Sequence, residues 1–310
     1  MTARIALLVF AAAFAASSCV SSVSGQDLAK EYYNLGNAYF AIKRYKDAIE
    51  FYQKSLDYEA GAAKASFNMA TSYIALGNND KAVAILTALL AKDPRNTELY
   101  SLMAYAMHVQ GKDDEAVADY QKILEIQPED RDALYNLGII AWRKKDFDKA
   151  EGYFRSLLKV SPADPKALFG LGSILLDQGK AQDAVGFLNQ YLETKPEDTS
   201  AYLVLAGAYT ALKQYLKALD TYEKAIALDK TLKDAWFNRA YLLLTKAQDP
   251  DRGTVSLEQA LDLGFNDMTA ITNLVKEVAA GPLLDNEKNS VYVILKKKNM
   301  MPNVDTGGKK

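Results

Sequence analysis

Two residue types that carry much of enzyme chemistry are almost missing: the 310-residue chain has one cysteine, Cys19, and one histidine, His108. A single cysteine excludes an intrachain disulfide and a cysteine metal centre. A single histidine leaves almost no material for Cys-His or Ser-His-Asp arrangements, and it excludes histidine-rich zinc sites. A large excess of either charge is missing too. The formal net charge is −2, which argues against duplex nucleic acid, a partner that needs a basic face. No cofactor-binding pattern stands out. Gly170-x-Gly172 lies inside a helical pattern rather than at a strand-to-helix turn. Asp249-x-Asp251-x-Gly253 has the outline of a calcium loop but lacks its sixth-place glycine. What is present, 49% apolar and 25% charged residues, is ordinary for a folded protein.

The few prolines are informative by position. Pro94, Pro128, Pro162 and Pro196 recur every 34 residues. In the unit Arg131–Asp164, Leu134, Leu137, Gly138 and Ala141 share one helical face. Lys144-Lys145-Asp146 interrupts it, and Ala150, Phe154 and Leu157 form a second face before Pro162 closes the unit. The spacing predicts a helical hairpin, and shifting by the period finds it at 29–62, 63–96, 97–130, 131–164, 165–198 and 199–232. A degenerate copy follows at 233–265, slipped by one residue before Leu257 and Ala260. Gly36, Ala70, Ala104, Gly138, Gly172, Ala206 and Ala240 mark where the first helix must approach its partner closely. Ala48, Ala82, Ala116, Ala150, Ala184 and Ala218 mark the same on the second helix. A bulky side chain there overpacks the contact.

This pattern resembles the tetratricopeptide repeat, W-x2-L-G-x2-Y, then A-x3-F, then P. The resemblance implies an all-α, right-handed α-solenoid of stacked helical hairpins, because one hairpin cannot bury its own apolar face. It also implies that the second, fifth, ninth and twelfth residues of each repeat line a concave groove. Carried over by position, these include Tyr33, Asn37, Phe40, Phe67, Tyr105, His108, Tyr135, Trp142 (with Arg143 beside it), Phe169, Phe237 and Tyr241. Asn34, Asn68, Asn136 and Asn238 occupy the sixth position, similar to the asparagine ladder of some members of the family. Their amides suit either a peptide backbone or bonds within the fold. The aromatic residues equally serve as partner anchors or as padding of the inner wall. The family's carboxylate clamp is not reproduced, since Tyr33, Glu98 and Leu102 stand where basic residues belong. Recognition of a free peptide C-terminus is therefore not expected.

Residues 1–18 combine Arg4 with the apolar run Ile5–Ala16, of signal-peptide length and too short to span a bilayer. With Ala16-Ser17-Ser18 ahead of Cys19, the stretch resembles a bacterial lipoprotein signal, although leucine is usual where Ala16 stands. Cys19 is then the acylated first residue of the mature chain. Ordinary cleavage after Ala15, giving a soluble periplasmic or secreted protein, is the rival reading. Residues 19–28 read as the lipidated cysteine and a serine-rich flexible tether. Residues 266–300 read as a C-terminal cap, with Asn266 or Asp267 opening a helix that ends at Gly281-Pro282. The type of the segment after it is left open, since Val291–Ile294 also suits a strand. Residues 301–310 read as a disordered tail.

The expected function is non-catalytic. It is that of an interaction scaffold on the periplasmic side or outer membrane of a bacterial envelope, holding a protein or extended peptide in the groove. A carrier of an apolar small molecule or lipid along the aromatic groove is the alternative. No metal, cofactor or nucleic acid is expected, and membrane attachment rests on acyl chains.

Overall fold

A computed structural model describes residues 24–283 and 285–302. Every regular element among them is helical. Seven hairpins follow in order: α1 (Gly25–Ala41) with α2 (Tyr45–Tyr58), α3 (Ala63–Ala75) with α4 (Asn79–Leu90), α5 (Thr97–Val109) with α6 (Asp113–Ile126), α7 (Arg131–Arg143) with α8 (Phe147–Val160), α9 (Pro165–Asp177) with α10 (Ala181–Thr194), α11 (Thr199–Ala211) with α12 (Tyr215–Leu228), and α13 (Lys233–Leu242) with α14 (Pro250–Asp262). Two more helices, α15 (Met268–Ala280) and α16 (Asp285–Lys297), follow among the described residues. The described residues form two compact units, divided between Ala133 and Leu134. In each, the second helix of a hairpin packs on its own first helix and on the first helix of the next, as in an all-α solenoid.

The small residues sit where the register demands them. A Cβ added at Gly36 would lie 2.4 Å from the Tyr52 ring, one at Gly138 2.9 Å from Phe154, and one at Gly172 2.6 Å from Leu188. Ala48, Ala82, Ala116, Ala150, Ala184 and Ala218 are fully buried. Each of these contacts leaves room for one large ring or leucine from the second helix, and for nothing more on the first. Helix starts follow from capping. Asn96, Asp164, Asp198 and Asp267 accept hydrogen bonds from the first-turn amides of α5, α9, α11 and α15.

Three features differ from the sequence expectation. Helix α1 starts at Gly25, inside the stretch read as tether, because Ser24 and Asp27 form a reciprocal capping box. The one-residue slip in the seventh copy takes the form of a π-helical turn, Leu243–Ala247, ending at Gln248 with φ 53°. A π turn holds one residue more than an α turn, so downstream Gly253 replaces the usual alanine and Leu257 the usual ring. A Cβ at Gly253 would lie 2.6 Å from Leu244. The open segment after Pro282 is the helix α16, whose Val291 and Leu295 are fully buried. With Ile271, Leu274, Val275 and Val278 they cover Phe237, Leu257 and Phe265 of the seventh hairpin.

A candidate ligand groove on the first three hairpins

In the first unit, the first helices of successive hairpins lie side by side, and an open groove of about 410 Å3 runs across them. Tyr33 of α1 and Lys64, Phe67 and Asn68 of α3 line it, joined by Glu98 of α5. These are second-, fifth- and sixth-position residues, which one helical period turns to the same face. The groove therefore brings together three of the predicted site residues. Lys92, Asp93 and Asn96 also line it, and the sequence pattern does not point to them. They belong to the turn from α4 to α5, where no helical period applies.

A hydrogen-bond chain fixes the floor. The Asn68 Nδ2–H donates to Asn37 Oδ1 at 2.8 Å and to the Tyr33 hydroxyl at 3.2 Å. The Tyr52 hydroxyl donates to the same Asn37 oxygen at 2.8 Å, and burial pushes its pKa up to about 12. Asn68 and Asn37 thus brace two hairpins against each other, the in-fold use of the amide. Asn34 is exposed, and Phe40 meets Tyr45 edge-on at 5.4 Å. Tyr105 is 52% exposed on α5. The His108 Nδ1 lies 2.8 Å from the Asp113 carboxylate, a bond across the α5–α6 turn.

The second unit treats the equivalent residues differently. Tyr135 is half-buried, with its ring 6.1 Å from Phe154 and the Lys166 ammonium 4.8 Å above its face. The Trp142 Nε1–H donates to Asp177 on the next first helix at 2.8 Å, while Arg143 is exposed beside it. Phe169 packs against Tyr191 at 5.3 Å, and Asn136 is half-buried. Phe237 is a correction. It is only 2% exposed and stacks on Phe265 at 4.0 Å, because the cap helices close over it. Asn238 beside it is exposed. The Tyr241 hydroxyl donates to Glu277 of the cap, and burial raises its pKa. Lys246, 2.6 Å away, holds Glu277 below the usual carboxylate range, with help from Tyr241.

Among the described residues, no group of three His, Cys, Asp or Glu side chains could hold a metal ion, and no helix is long and apolar enough to cross a membrane. Cys19, the signal reading and the tail after Pro302 lie outside the described residues.

Among curated proteins, none matches the sequence. Three family models described as tetratricopeptide repeat match residues 39–105 and 175–236, residues 114–165 and 135–199, and residues 97–130. Solved structures of similar fold include a tetratricopeptide-repeat protein from Cytophaga hutchinsonii, 21% identical, with TM-score 0.66 over 78% of this chain and 99% of that one. Another, from Parabacteroides merdae, is 19% identical, with TM-score 0.58 over 81% and 98%. YrrB, a tetratricopeptide-repeat protein with an unusual peptide-binding site, is 19% identical, with TM-score 0.54 over 61% and 96%. The matched models run together from residue 39 to residue 236, well over half of the sequence, and the chain belongs to the tetratricopeptide-repeat proteins.

Proposed function

We propose that the protein is a non-catalytic scaffold that holds an extended segment of a partner polypeptide in the groove of its first three hairpins. The observation that carries this reading is the convergence of Tyr33, Lys64 and Phe67 on one open groove. An aromatic wall supplies contact area at low entropic cost, and a lysine at the rim fixes orientation. The 410 Å3 space is open to solvent and lined from three successive hairpins, which suits a segment of extended chain better than an enclosed small molecule. YrrB, with its peptide-binding site, lends the reading support by likeness of fold. Site-specific photo-crosslinking from position 67 in intact cells tests it, with position 216, an 80% exposed leucine on α12, as control. Polypeptide adducts from 67 and not from 216 are expected. Equal capture from both positions contradicts the proposal, and a copurifying lipid without peptide favours a carrier instead.

We place this scaffold at a bacterial envelope membrane, anchored by acylated Cys19, on the strength of the signal-like stretch before it. Metabolic labelling with a clickable fatty acid tests this reading. Label that is incorporated and then lost in Cys19→Ala is expected; an unlabelled wild-type protein indicates ordinary cleavage and a soluble product.

A further inference from the structure

The first and sixth hairpins share an outer-face pattern that differs at one residue. Each has tyrosine at its fourth and eleventh positions, Tyr32 and Tyr39 in the first, Tyr202 and Tyr209 in the sixth. At the twenty-third position, on the second helix, the first hairpin has Phe51. Its ring stacks on both tyrosines, at 6.3 Å and 5.0 Å between centroids, with interplanar angles of 23° and 11°. The sixth hairpin has Thr221 there. Its hydroxyl is turned back to the Lys217 carbonyl at 2.7 Å, and this shorter side chain is only 4% exposed, so it sits at the base of the space that a ring fills in the first hairpin. An open cavity of about 560 Å3 lies at that place, lined by Tyr202, Tyr209 and Thr221 and, from the second helix of the fifth hairpin, by Asn189, Leu192 and Glu193.

The cation that accompanies the ring is nevertheless retained. In the first hairpin, Lys54 pairs with Glu50 at 2.8 Å and lies 5.0 Å above the face of Phe51. In the sixth, Lys224 pairs with Asp220 at 2.7 Å in the same register, and both line the cavity. Lys217 lies 5.5 Å from the Tyr209 ring centroid. The sixth hairpin thus keeps both tyrosines and the ammonium that surround the ring in the first hairpin and lacks only the ring. Stacked faces and a cation together select a planar aromatic guest over an aliphatic one of similar size.

We propose that this cavity receives an aromatic side chain of a partner polypeptide, which takes the place that Phe51 fills in the first hairpin. The occupant is a protein side chain because the internal precedent is one. The carboxylates of Asp220 and Glu193 and the Asn189 amide on the rim also suit the backbone that would carry it. The site lies on the twenty-third-position face and does not depend on the groove of the first three hairpins.

The test uses the full chain and three probes followed by NMR: the blocked tripeptides acetyl-Gly-Phe-Gly-amide and acetyl-Gly-Leu-Gly-amide, and free phenol. The phenylalanine peptide is expected to shift the Tyr202 and Tyr209 ring resonances and to bind several-fold more tightly than the leucine peptide. Thr221→Phe, which refills the cavity from within, should abolish that binding and leave the helical spectrum unchanged. Should that variant not fold, Lys224→Gln serves in its place; it leaves the cavity and should weaken phenylalanine binding roughly two- to five-fold. Equal affinity for the leucine peptide, or undiminished binding to a folded Thr221→Phe or to Lys224→Gln, overturns the proposal. Phenol binding as tightly as the peptide also overturns it, because the guest is then a free aromatic molecule.

Discussion

The first and sixth hairpins are built on one frame and filled differently. Gly36 and Ala206 sit at the same close approach, Ala48 and Ala218 are fully buried, and Tyr52 and Tyr222 are the large rings packed in that frame. One position away, Phe51 completes an aromatic stack and Thr221 leaves a cavity. The same register holds Ile85, Asp119, Tyr153 and Phe187 in the hairpins between. The frame is fixed by what two helices need in order to touch. The fill at the neighbouring position is free to vary, and that is where individual hairpins acquire separate chemistry.

If the frame is shared, damage to it should cost the same in both hairpins. Tyr52→Ala and Tyr222→Ala should each destabilise by about 3–5 kcal/mol in denaturant titrations, as for other buried aromatic truncations. A difference of several kcal/mol between them would mean that the two frames are not equivalent. The fill should cost less. Phe51 is half-buried, so Phe51→Thr should cost about 2 kcal/mol while transplanting the outer cavity to the first hairpin. The phenylalanine tripeptide should then shift the Tyr32 and Tyr39 resonances.

Asp119 sharpens the comparison through pH. Burial without a compensating cation pushes its carboxyl up to about 6, above its ordinary value of 3.8. The folded state therefore holds this proton more tightly than the unfolded chain, and the resulting stability is present below pH 4 and lost as pH rises through 6. Asp119→Asn should accordingly raise stability at pH 8 by on the order of 1 kcal/mol after solvent screening. The gain should vanish below pH 4; a gain independent of pH would exclude the carboxyl as its cause.

The smallest effect is at the hairpin turns. Lys43 and Lys213 adopt φ near 60° at the position where Gly77, Gly111 and Gly179 make the same turn. Left-handed backbone costs a side-chain-bearing residue about 1 kcal/mol, partly offset by the greater unfolded freedom of glycine. Lys43→Gly and Lys213→Gly should therefore each stabilise by roughly 0.5 kcal/mol. Destabilisation of either in thermal melts would point to a role for the lysine side chain.

Most of the fold was legible in the sequence because close helix contact tolerates only glycine or alanine. Such positions recur at a countable interval. The slip in the seventh copy was legible as well. Its π-helical form was not, because a one-residue insertion can equally lengthen a loop. The groove was legible where helical periodicity governs it, at Tyr33, Phe67 and Asn68. Lys92 and Asn96 carry no such signal because they reach the groove from a turn. Phe237 was read as groove-lining because its burial depends on α15 and α16, which follow no repeat. Nothing in the sequence tells whether Trp142 is an anchor or padding, because its N–H bonds to Asp177, 35 residues away. The start of α1 was hidden in a serine-rich stretch whose Ser24 is a helix cap.

The proposed scaffold depends on the groove across the first three hairpins gripping a polypeptide through its aromatic and basic residues. It is tested most directly by the affinity of the segment crosslinked from position 67, measured calorimetrically against wild type and two variants. Phe67→Ala should weaken binding by roughly 30-fold, the effect of removing an interface anchor worth about 2 kcal/mol, and Lys64→Ala by a few-fold. Unchanged affinity in both variants, with their helical content intact, would contradict the account.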